Sequence, residues 1–201
     1  MKVINYRGYK LYLAAFASLA IVILTVSGCA NAKSKNAAIP GGEKLVILSE
    51  SQAATVCYIQ PTEELKKTLS ADDYAVLVQA ATEPPFQNAY WDNHREGIYV
   101  DKIDGTPLFA SSTKFESGTG WPSFWQPIDK NAIVLVEDHS YGMNRIEVRA
   151  KKSGGHLGHL FDDGPNPTGL RYCINSASLK FVPREEMSAQ GYGKLLSLLG
   201  K

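Results

Sequence analysis

The sequence predicts a mainly β domain with an antiparallel core, preceded by two short helices. Three observations carry that prediction. From Ile98 onward, short apolar segments recur between Gly- and Pro-rich turns such as Asp104-Gly105 and Tyr141-Gly142-Met143-Asn144, the pattern of an antiparallel sheet. Helical patterning is confined to the stretch between Thr62 and Val78, and Glu83-Pro84-Pro85-Phe86 ends it because a residue before proline avoids the helical region. No internal repeat interrupts either part.

The first 28 of the 201 residues do not read as folded domain. Lys2, Arg7 and Lys10 precede an uncharged apolar run, Leu11 to Val26, and then the small residues Ser27 and Gly28. The run is shorter than the ~20 residues a spanning helix needs, and the arrangement is that of a secretory signal. Val26-Ser27-Gly28-Cys29 resembles the bacterial lipobox. That resemblance implies cleavage before Cys29, lipid on its sulfur, and an exported bacterial lipoprotein held on the periplasmic or extracellular face. An uncleaved anchor is the rival reading. Residues 29–43, rich in Asn, Ala, Lys and Ser and closing on Pro40-Gly41-Gly42, read as a flexible tether. The domain is expected over 44–201.

Within it, Lys44 to Leu48 is a short apolar strand. Thr62 caps a helix with Glu63 and Glu64 in its first turn, and Leu65 and Leu69 on one face. Ser70 caps a second, with Asp72 and Asp73 in its first turn and Tyr74, Leu77 and Val78 as its apolar stripe. Strands follow at Ile98–Val100, Thr106–Phe109, Ala132–Glu137, Arg145–Arg149, Leu160–Phe161, Arg171–Asn175 and Leu179–Val182. A weakly patterned helix closes the chain between Pro183 and Leu199.

The chain carries 21 basic and 20 acidic residues. The three basic residues before Cys29 leave 18 against 20, a formal charge of −2. No basic block stands out, so nucleic acid is excluded as a partner. Once Cys29 is set aside for lipid, Cys57 and Cys173 are the only thiols left to pair, so any bridge is single.

Cys173 lies in Arg171-Tyr172-Cys173-Ile174-Asn175, downstream of His156-Leu157-Gly158-His159. A thiol is mostly protonated near neutrality, and nearby cations favour the nucleophilic thiolate. On a strand, Arg171 and Asn175 share the face of Cys173. Arg171 is placed to stabilise the thiolate and Asn175 to hydrogen-bond in the site, and a histidine can deliver a proton. Taken alone, these residues leave other readings open. A lone cysteine with apolar flanks is often a core residue. Two histidines three apart can face a metal. A Cys–His pair can serve acyl transfer, and Trp121 with the histidines can form a binding surface in a non-enzymatic lipoprotein.

Four segments in order resemble the methionine-R-sulfoxide reductases of the B class. They are Thr82-Glu83-Pro84-Pro85-Phe86, Phe115 to Phe124 (Phe-Glu-Ser-Gly-Thr-Gly-Trp-Pro-Ser-Phe), Gly155 to Phe161 (Gly-His-Leu-Gly-His-Leu-Phe), and Gly169 to Ser176 (Gly-Leu-Arg-Tyr-Cys-Ile-Asn-Ser). The resemblance spans roughly Pro61 to Val182 and implies a core of two small sheets. It also implies thiol-dependent reduction of methionine-R-sulfoxide in oxidised proteins. Cys173 is then the nucleophile, with His156, His159, Arg171 and Asn175 around the sulfoxide oxygen and the thiolate. Trp121, and less strongly Phe161, form the pocket for the substrate S-methyl group. Glu116 and Asp162 are polar neighbours without an assigned part.

The chain departs from the family twice. Many members hold a structural zinc with two Cys-x-x-Cys pairs, and here the matching positions are Asp101, Asp104, Ala150 and Ser153. Zinc is therefore expected to be absent, with no other cofactor beyond an external thiol reductant. Many members also carry a second redox cysteine where this chain has Thr119. Others resolve through a cysteine in an N-terminal segment, which implies Cys57 here, a Cys57–Cys173 disulfide, and a thioredoxin-like partner to reopen it. A small buried hydrophobe is the alternative for Cys57.

Overall fold

The computed structural model describes residues 35–38, 44–55, 59 and 62–200. The expected signal run, Cys29 and Cys57 lie outside the described residues.

Among the described residues, eleven strands form two sheets. The larger contains β1 (Lys35–Ala38), β2 (Lys44–Leu48), β5 (Lys114–Phe115), β6 (Ser123–Phe124), β7 (Ile133–Asp138), β8 (Arg145–Ala150), β9 (His156–Phe161) and β10 (Arg171–Ile174). Their spatial order is β1-β2-β7-β8-β9-β10-β6-β5. The smaller sheet, ordered β11-β3-β4, contains β3 (Gly97–Asp101), β4 (Pro107–Ala110) and β11 (Leu179–Pro183). All pairings are antiparallel except that of β2 with β7. The mainly β class and two-sheet core are as the sequence predicts, although one sheet is not small. β1 falls inside the stretch read as tether, where Lys35–Ala38 pairs with Ile47–Lys44. β5 and β6 were invisible to pattern reading because a two-residue strand has no periodicity to detect.

Both expected helices form. Helix α2 (Glu63–Thr68) has the Thr62 side chain accepting from the Leu65 N–H, and α3 (Ala71–Gln79) has Ser70 accepting from Asp73 N–H. Each cap satisfies one of the amide groups a helix start leaves unpaired. A short helix α1 (Glu50–Ala53) follows β2, opened by a Ser49/Gln52 capping box. The C-terminal segment breaks into α4 (Arg184–Met187) and a 3-10 turn over Gly193–Leu199. Gly191, with φ 86°, separates them.

The core lies between the sheets. Phe109 and Phe124 stack with ring centroids 4.5 Å apart, Tyr99 meets Phe124 edge-on at 5.1 Å, and Tyr172 lies 5.8 Å from Phe109. All four rings are buried. The other face of the small sheet buries Ile98, Val100 and Val182 against Met187 and Leu199 of the C-terminal segment. Alternation along β10 does the rest. Tyr172 and Ile174 point into the core, so Arg171 and Cys173 face the opposite side of the large sheet. The site is built on that face.

Candidate active site

One row of cross-strand partners crosses the large sheet. Ser123 on β6 opposes Cys173 on β10, Cys173 opposes His159 on β9, and His159 opposes Glu147 on β8. Directly opposed residues share a face, so a thiol, a hydroxyl, an imidazole and a carboxylate stand side by side. Two residues along, Arg171 opposes Phe161 and Arg145 opposes Asp138.

His156 joins the same face only through a β-bulge. Val148 pairs with Gly158, but Arg149 pairs with His156, so β9 carries one extra residue at Leu157. On a regular strand two residues three apart point to opposite faces. The inserted residue restores the parity, and the two imidazoles meet edge to face with centroids 5.5 Å apart. The Leu157 side chain fills the core. Its carbonyl accepts from the Asn175 backbone N–H at 2.8 Å and from Asn175 Nδ2 at 3.0 Å. Gly158 is needed where the bulge crosses β10. A Cβ there would stand 2.0 Å from the Cys173 carbonyl oxygen.

Each histidine is oriented by a carboxylate. His159 Nε2 lies 2.7 Å from Asp138 Oδ2, and His156 Nδ1 lies 2.5 Å from Glu147 Oε1. A carboxylate only accepts, so these two ring nitrogens carry the protons. Asp138 also accepts from Arg145 Nη2 at 2.7 Å and from the Ser140 N–H at 2.9 Å. Burial alone would raise its pKa. Ser140, His159 and Arg145 outweigh that and hold it well below the usual carboxylate range. Burial, with the charges of His156 and Arg145, lowers the pKa of His159 against the pull of Asp138. It therefore stays a neutral base to lower pH than a free histidine.

Cys173 is half-buried, with the Thr119 hydroxyl 3.9 Å from its sulfur. Burial raises its pKa, and Arg171, Thr119 and Ser123 offset only part of that. The expected depression of the thiol by Arg171 is thus opposed by a larger desolvation cost. Arg171 is itself locked. It donates two hydrogen bonds of 2.8 Å to the Asp163 carboxylate, and its guanidinium lies 4.3 Å from the Phe161 ring centroid. Phe161 is thereby the platform under Arg171, and the paired acid is Asp163, next to Asp162 in sequence.

Trp121 is positioned through the segment over 82–86. Its indole N–H donates to the Glu83 carbonyl at 3.0 Å. The Glu83 carboxylate accepts from the backbone N–H groups of Ser176 and Ala177, and Asn175 Oδ1 accepts from the Glu83 N–H at 3.2 Å. Asn175, 3 % exposed, directly follows β10 and spends its amide on the bulge and on Glu83. It clamps three pieces of backbone together. Gly120 makes room for this crossing, since a Cβ there would lie 2.7 Å from the Phe86 nitrogen. Sequence reading missed Glu147, Asp138, Asp163 and the anchoring part of Glu83. The only available signal was strand parity, which places Glu147 and Arg145 on one face of β8.

Asp101, Asp104, Ala150 and Ser153 lie on two facing turns. Ser153 Oγ donates to Asp101 Oδ2 at 2.6 Å, and Asp101 Oδ1 accepts from the Ile103 N–H at 2.7 Å. The set offers one methyl and one hydroxyl beside two carboxylates, which does not fit a tetrahedral zinc site. Hydrogen bonds join the turns instead.

Two comparisons bear on these residues. Residues 69–183 match the SelR domain family model. A Vibrio cholerae O1 protein named peptide methionine sulfoxide reductase MsrA/MsrB is 51 % identical over 148 residues. That alignment covers 73 % of this chain and 39 % of the relative, so the chain spans about two fifths of the relative's length. The matched region contains the cysteine row, both histidines, the bulge and the Trp121 segment, and on that match the chain belongs to the SelR domain family.

Proposed function

We propose that this chain reduces methionine-R-sulfoxide in oxidised proteins to methionine. The observation that carries the reading is the cross-strand row placing Cys173 between Ser123 and His159, beside the anchored Trp121. The Cys173 sulfur attacks the sulfoxide sulfur. The S–O bond breaks and the oxygen ends on Cys173 as a sulfenic acid. The substrate sulfur gains two electrons and the cysteine sulfur loses two. Because burial favours the protonated thiol, the proton that His159 removes from Cys173 is the one it returns to the departing oxygen. Trp121 holds the S-methyl group, with Phe161 acting mainly as the platform for Arg171.

In the second half of the cycle, the Cys57 thiolate attacks the sulfenic acid. Water leaves and a Cys57–Cys173 disulfide remains, which a thioredoxin-like dithiol opens by exchange. Thr119, whose hydroxyl faces the sulfur, leaves that task to another segment. No metal takes part. Lipid on Cys29 holds the enzyme at the membrane surface outside the cytoplasm, where it repairs exported proteins.

The test is turnover of peptides carrying each sulfoxide epimer separately, with dithiothreitol as reductant. The R epimer alone should be consumed. Replacing Cys173 by Ser should abolish turnover, while Cys57→Ser should keep one stoichiometric round and slow thioredoxin-driven recycling. Consumption of neither epimer by folded protein with a reactive Cys173 refutes the reading.

A further inference from the structure

Behind His159 lies a second buried group that the proposed cycle leaves unused. Glu147 is 7 % exposed and His156 1 % exposed. Glu147 divides its two oxygens. Oε1 accepts from His156 Nδ1 at 2.5 Å, and Oε2 accepts from Arg149 Nε at 2.9 Å. Arg149 is fixed in turn, with Nη1 donating to the Gly154 carbonyl at 3.0 Å. Among the described residues, His156 Nε2 is buried without a hydrogen-bond partner. Its ring packs edge to face on His159. The same carboxylate carrier, Glu147, is the direct cross-strand partner of His159. A buried carboxylate is costly unless paired and hydrogen-bonded. Here the pairing is complete, and it converges on one imidazole.

These groups border a cavity of about 490 Å³ on the side of the histidines that also takes in Glu137, Asp138, Ser140 and Arg145. The charged and titratable groups on the His159 face are therefore Asp138 on β7, Arg145, Glu147 and Arg149 on β8, His156 on β9, and Cys173 on β10, while Glu137 and Glu50 also line the cavity. Asp138 holds one nitrogen of His159 directly. The His156 ring packs edge to face against the His159 ring.

We propose that Glu147 is a positioning residue for proton transfer at Cys173. It fixes the His156 ring with Nδ1–H toward itself, and that ring holds His159 in register with the thiol. The inference rests on the reductase reading. It deepens that reading by assigning a residue that touches neither thiol nor substrate. A carboxylate that only fills space would be replaceable by its amide, whereas one that fixes a tautomer would not, because Gln can present either a donor or an acceptor to the ring.

The experiment compares the full chain with Glu147→Gln and Glu147→Asp in three readouts. The first is kcat and KM across pH on the R-epimer peptide. Glu147→Gln should lower kcat by about 10–100-fold, a share of what general acid–base catalysis supplies. KM should stay within about twofold, since ground-state binding is untouched. The kcat–pH profile should be displaced, and Glu147→Asp should recover part of the loss. The second readout is thermal unfolding. The third is imidazole NMR, in which the parent should show a hydrogen-bonded His156 Nδ1–H that Glu147→Gln removes, with a displaced His159 titration. A folded Glu147→Gln enzyme with the parent's kcat–pH profile overturns the proposal. So does a parent lacking the protected His156 Nδ1–H, a result that needs no variant to fold. If the parent fails to reduce either epimer, the reductase reading falls. The NMR coupling between Glu147 and His159 still decides the positioning role.

Discussion

Replacing Gly158 by Ala tests the central geometry, because it strikes the crossing of β9 and β10 without touching any titratable group. A Cβ at this position would stand 2.0 Å from the Cys173 carbonyl oxygen and 3.0 Å from Ile174 Cα. Both obstacles are backbone, so no side chain can swing aside. Opening that approach from 2.0 Å to an ordinary contact of at least 3.4 Å requires the strands to part by about 1.4 Å. A displacement of that size between reacting groups costs on the order of 100-fold in rate. Overpacking adds about 1–3 kcal/mol of destabilisation. The assay is kcat on the R-epimer peptide, measured well below the variant's own melting temperature. Gly155→Ala, three residues earlier, is the control. Its Cβ would meet only side-chain atoms, Leu77 Cδ2 at 3.0 Å, Ser153 Oγ at 3.3 Å and Ile103 Cδ1 at 3.5 Å, and no backbone. A folded Gly158→Ala protein with the parent's kcat would refute the argument that strand register sets the His159–Cys173 approach.

Three further outcomes follow from the same geometry. Arg171→Met should move the pH midpoint of Cys173 alkylation upward, because Arg171 is the largest influence lowering a thiol that burial raises. Iodoacetamide labelling across pH checks this, and an unmoved midpoint removes Arg171 from thiolate stabilisation. Asp138→Asn should cost about 1–3 kcal/mol near neutrality through its lost charge-assisted bonds to Arg145 and His159. The folded-state pKa of Asp138 lies below its unfolded value, so its contribution is present above the unfolded pKa and fades as pH falls through the folded one. The gap in unfolding free energy between parent and variant should therefore shrink on acidification. Treatment with a strong chelator should leave the melting temperature unchanged, since the turns carrying Asp101 and Ser153 are joined by hydrogen bonds rather than a metal-fitting donor set. A fall in melting temperature that added zinc reverses would contradict that.

Much of the fold was legible because its signals are local. Thr62 and Ser70 are caps whose side chains reach three residues ahead, so chain order alone places them. The longer strands show as apolar runs between turns, whereas the single helix expected between Pro183 and Leu199 is broken at Gly191. The two-residue strands β5 and β6 owe their existence to pairing with β10 and with each other, which no window of sequence contains.

The sequence by itself determined the chemistry. It supplied a thiol, two imidazoles, a guanidinium and an indole in ordered segments, and it carries no Cys-x-x-Cys pair. Tertiary structure decided which of them meet. His156 and His159 are three apart and would face opposite sides of a regular strand, but the extra residue at Leu157 turns them to one face. Asn175, two residues from Cys173, belongs by parity to the thiol's face, yet the strand ends at Ile174 and its amide anchors backbone instead. Asp163 rather than Asp162 takes Arg171, and Asp138 and Glu147 orient His159 and His156 from 21 and 9 residues earlier in the chain. Register between strands depends on the summed pairing and packing of whole sheets. A one-residue bulge changes which side chains share a face while leaving almost no mark on the sequence pattern.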